Sequence, residues 1–252
     1  RDDVFLACKT TERTAEGARR ELDESLKWMQ TDHFDLYQMH AVNTNEDFDT
    51  IVSPGGALEV FREAKAKGQT RYIGFSSHSA ETALRLIEAE RCTVYYGTPN
   101  MTLAIEEHPD RAARDISSLR VGATLGSPQQ IQCLIDLGVR EACQIYGLTE
   151  SYGNCSINDA HDTVARRTES IGKALPGNDM IIADMATGKR MPTGEIGEIR
   201  LKGYVTKGYY KEPDKTAEAF DADGYFRTGD LGFVDDDGYF YFRGRAKEMI
   251  KT

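Results

Sequence analysis

Long apolar runs are missing from this sequence: none approaches the roughly 20 residues that a helix needs to cross a bilayer. The first residues, Arg1-Asp2-Asp3, are charged and lead directly into a short apolar strand, so the start does not have the pattern of a secretory leader. There are five cysteines (Cys8, Cys92, Cys133, Cys143, Cys155) and no Cys-x-x-Cys pair, and the five histidines lack metal-ligand spacing. This excludes a disulfide frame and a Cys/His zinc site, and predicts reduced thiols in a cytoplasmic chain. Basic residues are outnumbered, with a net charge of −10. No general nucleic-acid binding and no attraction to anionic membranes is expected. The acidic excess is spread over both halves, so neither end is a charged tail. No Gly/Ser/Pro-rich linker interrupts the chain either, although naturally tethered domains usually have one.

With 40% hydrophobic and 29% charged residues, the composition is that of a globular protein, and 252 residues suffice for one large domain or two small ones. The first residue is not Met, and Thr252 falls inside a patterned segment. On these grounds a fragment is expected.

Residues 1–90 read as three βα units. Val4–Cys8 is a short apolar run, the pattern of a strand buried on both faces. Thr14 is a candidate N-cap for a helix carrying Ala18, Leu22, Leu26 and Met29. Phe34–Met39 is a second strand, Gly56–Lys67 a second helix closed by Gly68, and Tyr72–Phe75 a third strand. Ser79 caps a helix through Glu88. Such alternation implies a parallel sheet. Lys9, His40 and Ser76 with Ser77 each follow a strand, at the sheet edge where α/β proteins carry chemistry; a solvated loop residue is the alternative for each.

Between Glu88 and Val94 helical periodicity stops, and a second pattern begins at Thr93-Val94-Tyr95-Tyr96. A helical piece covers Met101–Glu107, Leu119–Ala123 is a strand, and Gly126-Ser127-Pro128 opens a helix ending before Gly138. That loop would offer backbone N–H groups to a ligand, and it is equally an ordinary helix start. Ala142–Tyr146 is the next strand, with Gly147 as its sharp exit into Leu148-Thr149-Glu150. An aromatic face, a hydroxyl and a carboxylate within five residues suit a nucleotide with Mg²⁺; the plain alternative is a turn in which Thr149 caps and Glu150 is solvated. From Ile171 onward short strands and turns dominate, with Asp237-Gly238 joining a hairpin. Asp230, after Gly229, can accept from both hydroxyls of a ribose diol or be a turn aspartate.

Two families are resembled. Residues 1–90 resemble the middle of an aldo/keto reductase barrel, through Leu6-Ala7-Cys8-Lys9-Thr10, Phe34-Asp35-Leu36-Tyr37-Gln38-Met39-His40 and Arg71-Tyr72-Ile73-Gly74-Phe75-Ser76-Ser77-His78. The resemblance implies that Lys9 lowers the pKa of a tyrosine donor, His40 orients a carbonyl, and Ser76 and Ser77 hold the nicotinamide of NADPH. The family's tyrosine donor and its phosphate-binding strands have no match here.

Residues from about Thr93 to the end resemble the adenylate-forming superfamily. The carrying motifs, in order, are Tyr146-Gly147-Leu148-Thr149-Glu150, Gly194-Glu195-Ile196-Gly197-Glu198, Tyr225-Phe226-Arg227-Thr228-Gly229-Asp230 and Gly244-Arg245-Ala246-Lys247. This resemblance implies ATP/AMP, Mg²⁺ and CoA as cofactors and a small-molecule carboxylic acid as substrate, activated through acyl-AMP to a thioester. It places Tyr146 on adenine, Gly126 and Ser127 along the adenine pocket, Thr149 on the α-phosphate and Glu150 on Mg²⁺. Asp230 is placed on the ribose, Arg245 on ribose and phosphate, and Lys247 at a hinge. Leu148, where peptide-synthetase adenylation domains usually carry proline, and the Thr216–Phe220 run look more like acyl- or aryl-CoA ligases. The superfamily's Ser/Thr/Gly-rich phosphate loop ending in lysine and its C-terminal lysine domain have no match.

The expected architecture is therefore α/β. Three βα units of an incomplete parallel (β/α)8 barrel (residues 1–90) are joined to part of an adenylate-forming N-terminal domain, an α/β sheet plus a β-rich subdomain (residues 91–252). Three functional readings follow: an acid–CoA ligase that has lost part of its machinery, an incomplete NADPH oxidoreductase, or a composite with no autonomous activity. Three strands cannot close an eight-stranded barrel. Purified protein is accordingly expected to oxidise no NADPH in the presence of aldehydes, as followed by absorbance; measurable turnover would overturn that expectation.

Overall fold

A computed structural model of the chain describes residues 4–246. They fall into two compact units. The first comprises residues up to Thr93 together with Asn100–Leu119, and the second comprises Val94–Pro99 with the residues from Arg120 onward.

In the first unit the chain runs β1 (Ala7–Thr10), α1 (Ala15–Met29), β2 (Phe34–Met39), α2 (Asn45–Val52), α3 (Ala57–Ala66), β3 (Thr70–Phe75) and α4 (Ala80–Ala89). The three strands form a parallel sheet in the order β1-β2-β3. The expected caps are in place: Thr14 Oγ1 accepts from Gly17 N and Ser79 Oγ from Thr82 N, each satisfying one of the donors that a helix start leaves open. Gly68, at φ +75°, follows α3. Two differences from the sequence reading stand out. The first strand lies further along than Val4–Cys8, because pairing with β2 begins at Ala7 opposite Leu36 and leaves Val4 and Phe5 exposed. Helix α2 was not anticipated: its eight residues bury only Phe48 and Ile51, too little apolar spacing to register as a period.

Register sorts the two faces of this sheet. Lys9, Gln38 and Gly74 are aligned, and His40 and Ser76 lie two residues further on, so these five share one face. Tyr37, Met39, Ile73 and Phe75 turn the other way, into a core with Leu22, Leu26, Val60, Phe61 and Ala64 of α1 and α3. The segment after the expected join is tied to this unit by charge. Arg114 Nη1 meets Glu88 at 2.9 Å, Asp115 N donates to the same carboxylate at 2.9 Å, and Arg91 pairs with Asp115.

The second unit contains two sheets. β4 (Val94–Tyr96), β5 (Val121–Thr124) and β6 (Glu141–Leu148) are parallel, and β7 (Gly153–Ile157) and β8 (Lys173–Ala174) extend them antiparallel into a mixed five-stranded sheet. Between the strands lie α5 (Pro99–Glu106), which apart from Pro99 belongs to the first unit, α6 (Pro128–Asp136) and α7 (Val164–Glu169). A four-stranded antiparallel sheet follows in the order β12-β11-β10-β9, from β9 (Asp179–Ala183), β10 (Gly197–Lys202), β11 (Phe226–Val234) and β12 (Phe240–Arg245), with α8 (Pro213–Ala219) before β11. The Asp237-Gly238 hairpin forms as expected, with Gly238 at φ +83° and Asp235 N donating to Tyr239 O at 2.9 Å.

Arg200 is fully buried in the antiparallel sheet. Its Nε donates to Glu198 Oε2 and its Nη1 to Asp221 Oδ2, both at 2.8 Å. Removing one member of such a group leaves uncompensated buried charge, which costs about 3–5 kcal/mol. Arg200→Met is expected to lower unfolding stability by that order in urea titration, whereas Lys202→Met on the exposed end of the same strand should change it by less than about 0.5 kcal/mol.

Candidate functional site

The Tyr146–Glu150 segment is built on a close approach of two backbones. β6 does not end at Tyr146 with Gly147 as its sharp exit, as the sequence suggests. It continues to Leu148, and its register with β7 slips between Tyr146 and Gly147. A Cβ on Gly147 would stand 1.9 Å from Gly153 O, so glycine is required there by proximity and not to turn the chain. After Leu148 comes one 3-10 turn, Thr149–Ser151. Ser151 holds it: its Oγ accepts from Leu148 N at 3.0 Å and reaches Gly153 O at 2.7 Å. This leaves Thr149 exposed and Glu150 half-buried at the tip of a hairpin.

Tyr146 reaches across to the other sheet of the unit, its hydroxyl donating to Asp230 Oδ2 at 2.7 Å. Burial, and after it the Asp230 charge, push the phenol pKa far above its ordinary value. The ring is 9% exposed and packs with Cys155, Ile171 and Ile199, so little of the face expected for adenine is open. Asp230 lies inside β11 and not in a turn, directly opposite Arg245 on β12. Arg245 Nε is 3.1 Å from Asp230 Oδ1, yet no donor is aimed at that oxygen, which is buried without a hydrogen bond among the described residues. The residues before Asp230 set its position. Gly229, at φ +72°, donates its N–H to Glu198 Oε1 at 3.2 Å, and Asp230 N donates to Thr228 Oγ1 at 3.0 Å.

At the start of α6, Ser127 forms a capping box with Gln130: Ser127 N donates to Gln130 Oε1 at 2.8 Å, and Ser127 Oγ accepts from Gln130 N. Pro128 carries no N–H, so the free amides expected of this loop are partly consumed. Gly126 O accepts from Gln144 Nε2 at 2.8 Å, and Gln144 Oε1 is buried without a hydrogen-bond partner among the described residues. Gln144 escaped the sequence reading because an amide within a strand carries no distinctive pattern.

Glu150 is held at both ends. Its carbonyl accepts from Thr206 N at 2.7 Å and its Oε1 from the Tyr209 hydroxyl at 2.8 Å, a bond that raises the Tyr209 pKa. Among the described residues, no cluster of three or more His, Cys, Asp or Glu could cage a metal. A lone carboxylate fits Mg²⁺ only where the ion keeps its waters and is shared with ligand phosphates.

In the first unit, His40 Nδ1 lies 2.8 Å from Ser76 Oγ, which also accepts from Ala41 N at 2.9 Å. Arg13 Nη2 donates to His40 O and Ala41 O, both at 2.9 Å. Ser77 Oγ is occupied by Ser79, accepting from its N at 3.0 Å and donating to its O at 3.2 Å. Lys9 is exposed on the face it shares with His40 and Ser76. Lys247 lies outside the described residues.

Comparison with known proteins finds the AMP-binding enzyme family over residues 66–210 and the aldo/keto reductase family over residues 1–115. The two matches overlap, and the first reaches back into the segment that the sequence motifs assign to the reductase pattern. Bacillus subtilis YngI, which carries an acyl-CoA synthetase name, is 39% identical over 174 residues, 67% of this chain and 32% of that protein. The mouse mitochondrial medium-chain acyl-CoA ligase ACSF2 is 34% identical over 188 residues, 73% of this chain and 31% of its own length. The chain thus spans about a third of these relatives. Among solved structures, an ATP-bound RpMatB-BxBclM chimera matches with a TM-score of 0.65 at 26% identity, covering 92% of this chain and 44% of that one. The anthranilate CoA ligase AuaEII bound to anthranoyl-AMP matches with a TM-score of 0.60 at 28% identity, over 69% of this chain and 33% of its own.

Tyr146→Phe removes the phenol's hydrogen bond to Asp230 Oδ2 and should cost about 1–3 kcal/mol of unfolding stability. In a double-mutant cycle with Asp230→Ala, urea denaturation is expected to show coupling of about 0.5–3 kcal/mol; additive losses would show that the bond is energetically silent.

Proposed function

Because this chain belongs to the AMP-binding enzyme family, we propose that residues from about 91 onward bind an adenine nucleotide and serve ATP-dependent activation of a carboxylic acid, through acyl-AMP to an acyl-CoA thioester. One observation carries the reading. Asp230 is a buried carboxylate with Oδ2 fixed by Tyr146 and Oδ1 beside Arg245 but, among the described residues, without a hydrogen-bond donor. An orphaned buried acceptor is costly, and a ribose hydroxyl supplies what it lacks.

In this reading Asp230 accepts from the ribose diol, and Arg245 places positive charge beside the ribose and the α-phosphate. Tyr146, Gly126 and Ser127 border the adenine. The exposed Thr149 hydroxyl donates to an α-phosphate oxygen. Mg²⁺ at Glu150 would neutralise charge on the phosphates. The acid's carboxylate oxygen attacks the α-phosphorus, the bond to the bridging β-phosphate oxygen breaks, and pyrophosphate leaves with that electron pair. The CoA sulfur then displaces AMP from the acyl carbon, giving up its proton. The name of the mouse relative makes medium-chain acids the first substrates to try.

Residues 1–252 contain no Ser/Thr/Gly-rich loop ending in lysine that would supply cations to the β- and γ-phosphates. We therefore assign this span nucleoside binding with adenylation crippled. Residues 1–90 are assigned as three units of an aldo/keto reductase barrel, a reading supported by the family match and by Lys9, His40 and Ser76 on one face of a parallel sheet.

Calorimetric titration of the full chain with ATP and with AMP tests the proposal. Both are expected to bind, and Asp230→Ala should weaken each at least tenfold, about 1.4 kcal/mol. Folded protein that binds neither nucleotide would refute it. Exchange of labelled pyrophosphate into ATP with mixed carboxylic acids is expected to be weak or absent.

A further inference from the structure

Strand β11 reaches Asp230 through a break in its ladder. It pairs Arg227 with Arg200 and Leu231 with Glu198 on β10, so Thr228, Gly229 and Asp230 together stand opposite the single residue Ile199. A bulge of this kind takes backbone groups out of the ladder and re-aims the side chains it carries, and the freed groups need other partners.

Side chains supply them here. Gly229 N, at a residue with φ +72°, donates to Glu198 Oε1 at 3.2 Å. Asp230 N donates to Thr228 Oγ1 at 3.0 Å, and that hydroxyl donates to Ile199 O at 2.6 Å. On the far side of the strand Ala246 N donates to Gly229 O at 2.9 Å. Glu198 is itself held in place. It is 5% exposed, and its Oε2 accepts from Nε of the fully buried Arg200 at 2.8 Å. The two oxygens of one carboxylate thus connect a buried cation to the amide immediately before Asp230. Hydrogen bonds weaken steeply with misalignment, so a shift of this bulge falls hardest on whatever Asp230 itself binds.

We propose that Glu198 is a positioning residue for sugar recognition: by holding the Thr228–Asp230 bulge it sets how strongly the site prefers a ribose diol to a sugar without hydroxyls. This rests on the reading of Asp230 as the ribose acceptor. Glu198 touches no ligand atom and takes part in no bond-making step.

Calorimetric titration of the full chain with AMP and with 2′,3′-dideoxy-AMP tests this, and the readout is the ratio of the two affinities. Wild type is expected to favour AMP by about tenfold or more. In Glu198→Gln the amide carbonyl is drawn to Arg200, which turns the NH₂ group toward the Gly229 N–H, donor against donor. The ratio should then fall to within about threefold, chiefly through weaker AMP binding. Asp221→Asn is the control: it weakens the same buried charge group at Arg200 Nη1 and leaves the Glu198–Gly229 contact in place, so it should keep the wild-type ratio. Should a thermal melt show that Glu198→Gln does not fold, Glu198→Met combined with Arg200→Met removes the acceptor without leaving the guanidinium unpaired, and the same fall is expected. A wild-type ratio near one would overturn the reading of Asp230, and this role with it. A wild-type preference that survives the loss of Glu198, or that Asp221→Asn abolishes equally, would overturn the role of Glu198 alone.

Discussion

The hydrogen bond from Tyr146 to Asp230 joins two sheets of different kinds, and the candidate nucleotide site depends on it. Tyr146 stands on a strand of the mixed sheet and Asp230 on a strand of the antiparallel sheet. With its other oxygen beside Arg245 but given no donor among the described residues, Asp230 is constrained on one side and left wanting on the other. A carboxylate buried in this way needs every oxygen supplied, because water cannot reach it to repay the lost solvation. The Glu198–Arg200–Asp221 group extends the constraint backward, since Glu198 also receives the N–H of Gly229 immediately before Asp230. Position at the site is therefore tied to the buried charge group beside it.

Much of this was legible in the sequence, and the reasons differ by element. Thr14 and Ser79 announced their helices because a hydroxyl before an apolar period has few other uses, and Pro128 and Gly138 bounded a third. The Asp237-Gly238 hairpin was readable from its two central residues. The parts that escaped are those decided by partners remote in sequence. Nothing local says that Gly147 continues a strand, since its requirement comes from Gly153 O on the neighbouring one. Tyr209 and Gln144 likewise acquire their meaning from Glu150 and Gly126, each delivered by another element. Helix α2 escaped for a simpler reason, being too short to show a period.

The overlap of the two family matches over residues 66–115 has a physical side. A parallel βα unit, with its capped helix, apolar strand and polar strand end, uses the same residue pattern whichever larger sheet it serves. The ion pairs that bind Arg91, Arg114 and Asp115 to one another's neighbourhood lie within this overlap, so the region where the two patterns meet is also internally cross-linked.

The Tyr146–Asp230 bond spans 84 positions of chain. Contacts between such distant segments form only after the loop-closure entropy between them has been met, so they complete late in folding. A nucleotide seated against Asp230 would recognise only chains in which that closure has happened. By mass action it would enrich them, which makes the ligand a selector of the finished fold as well as its cargo.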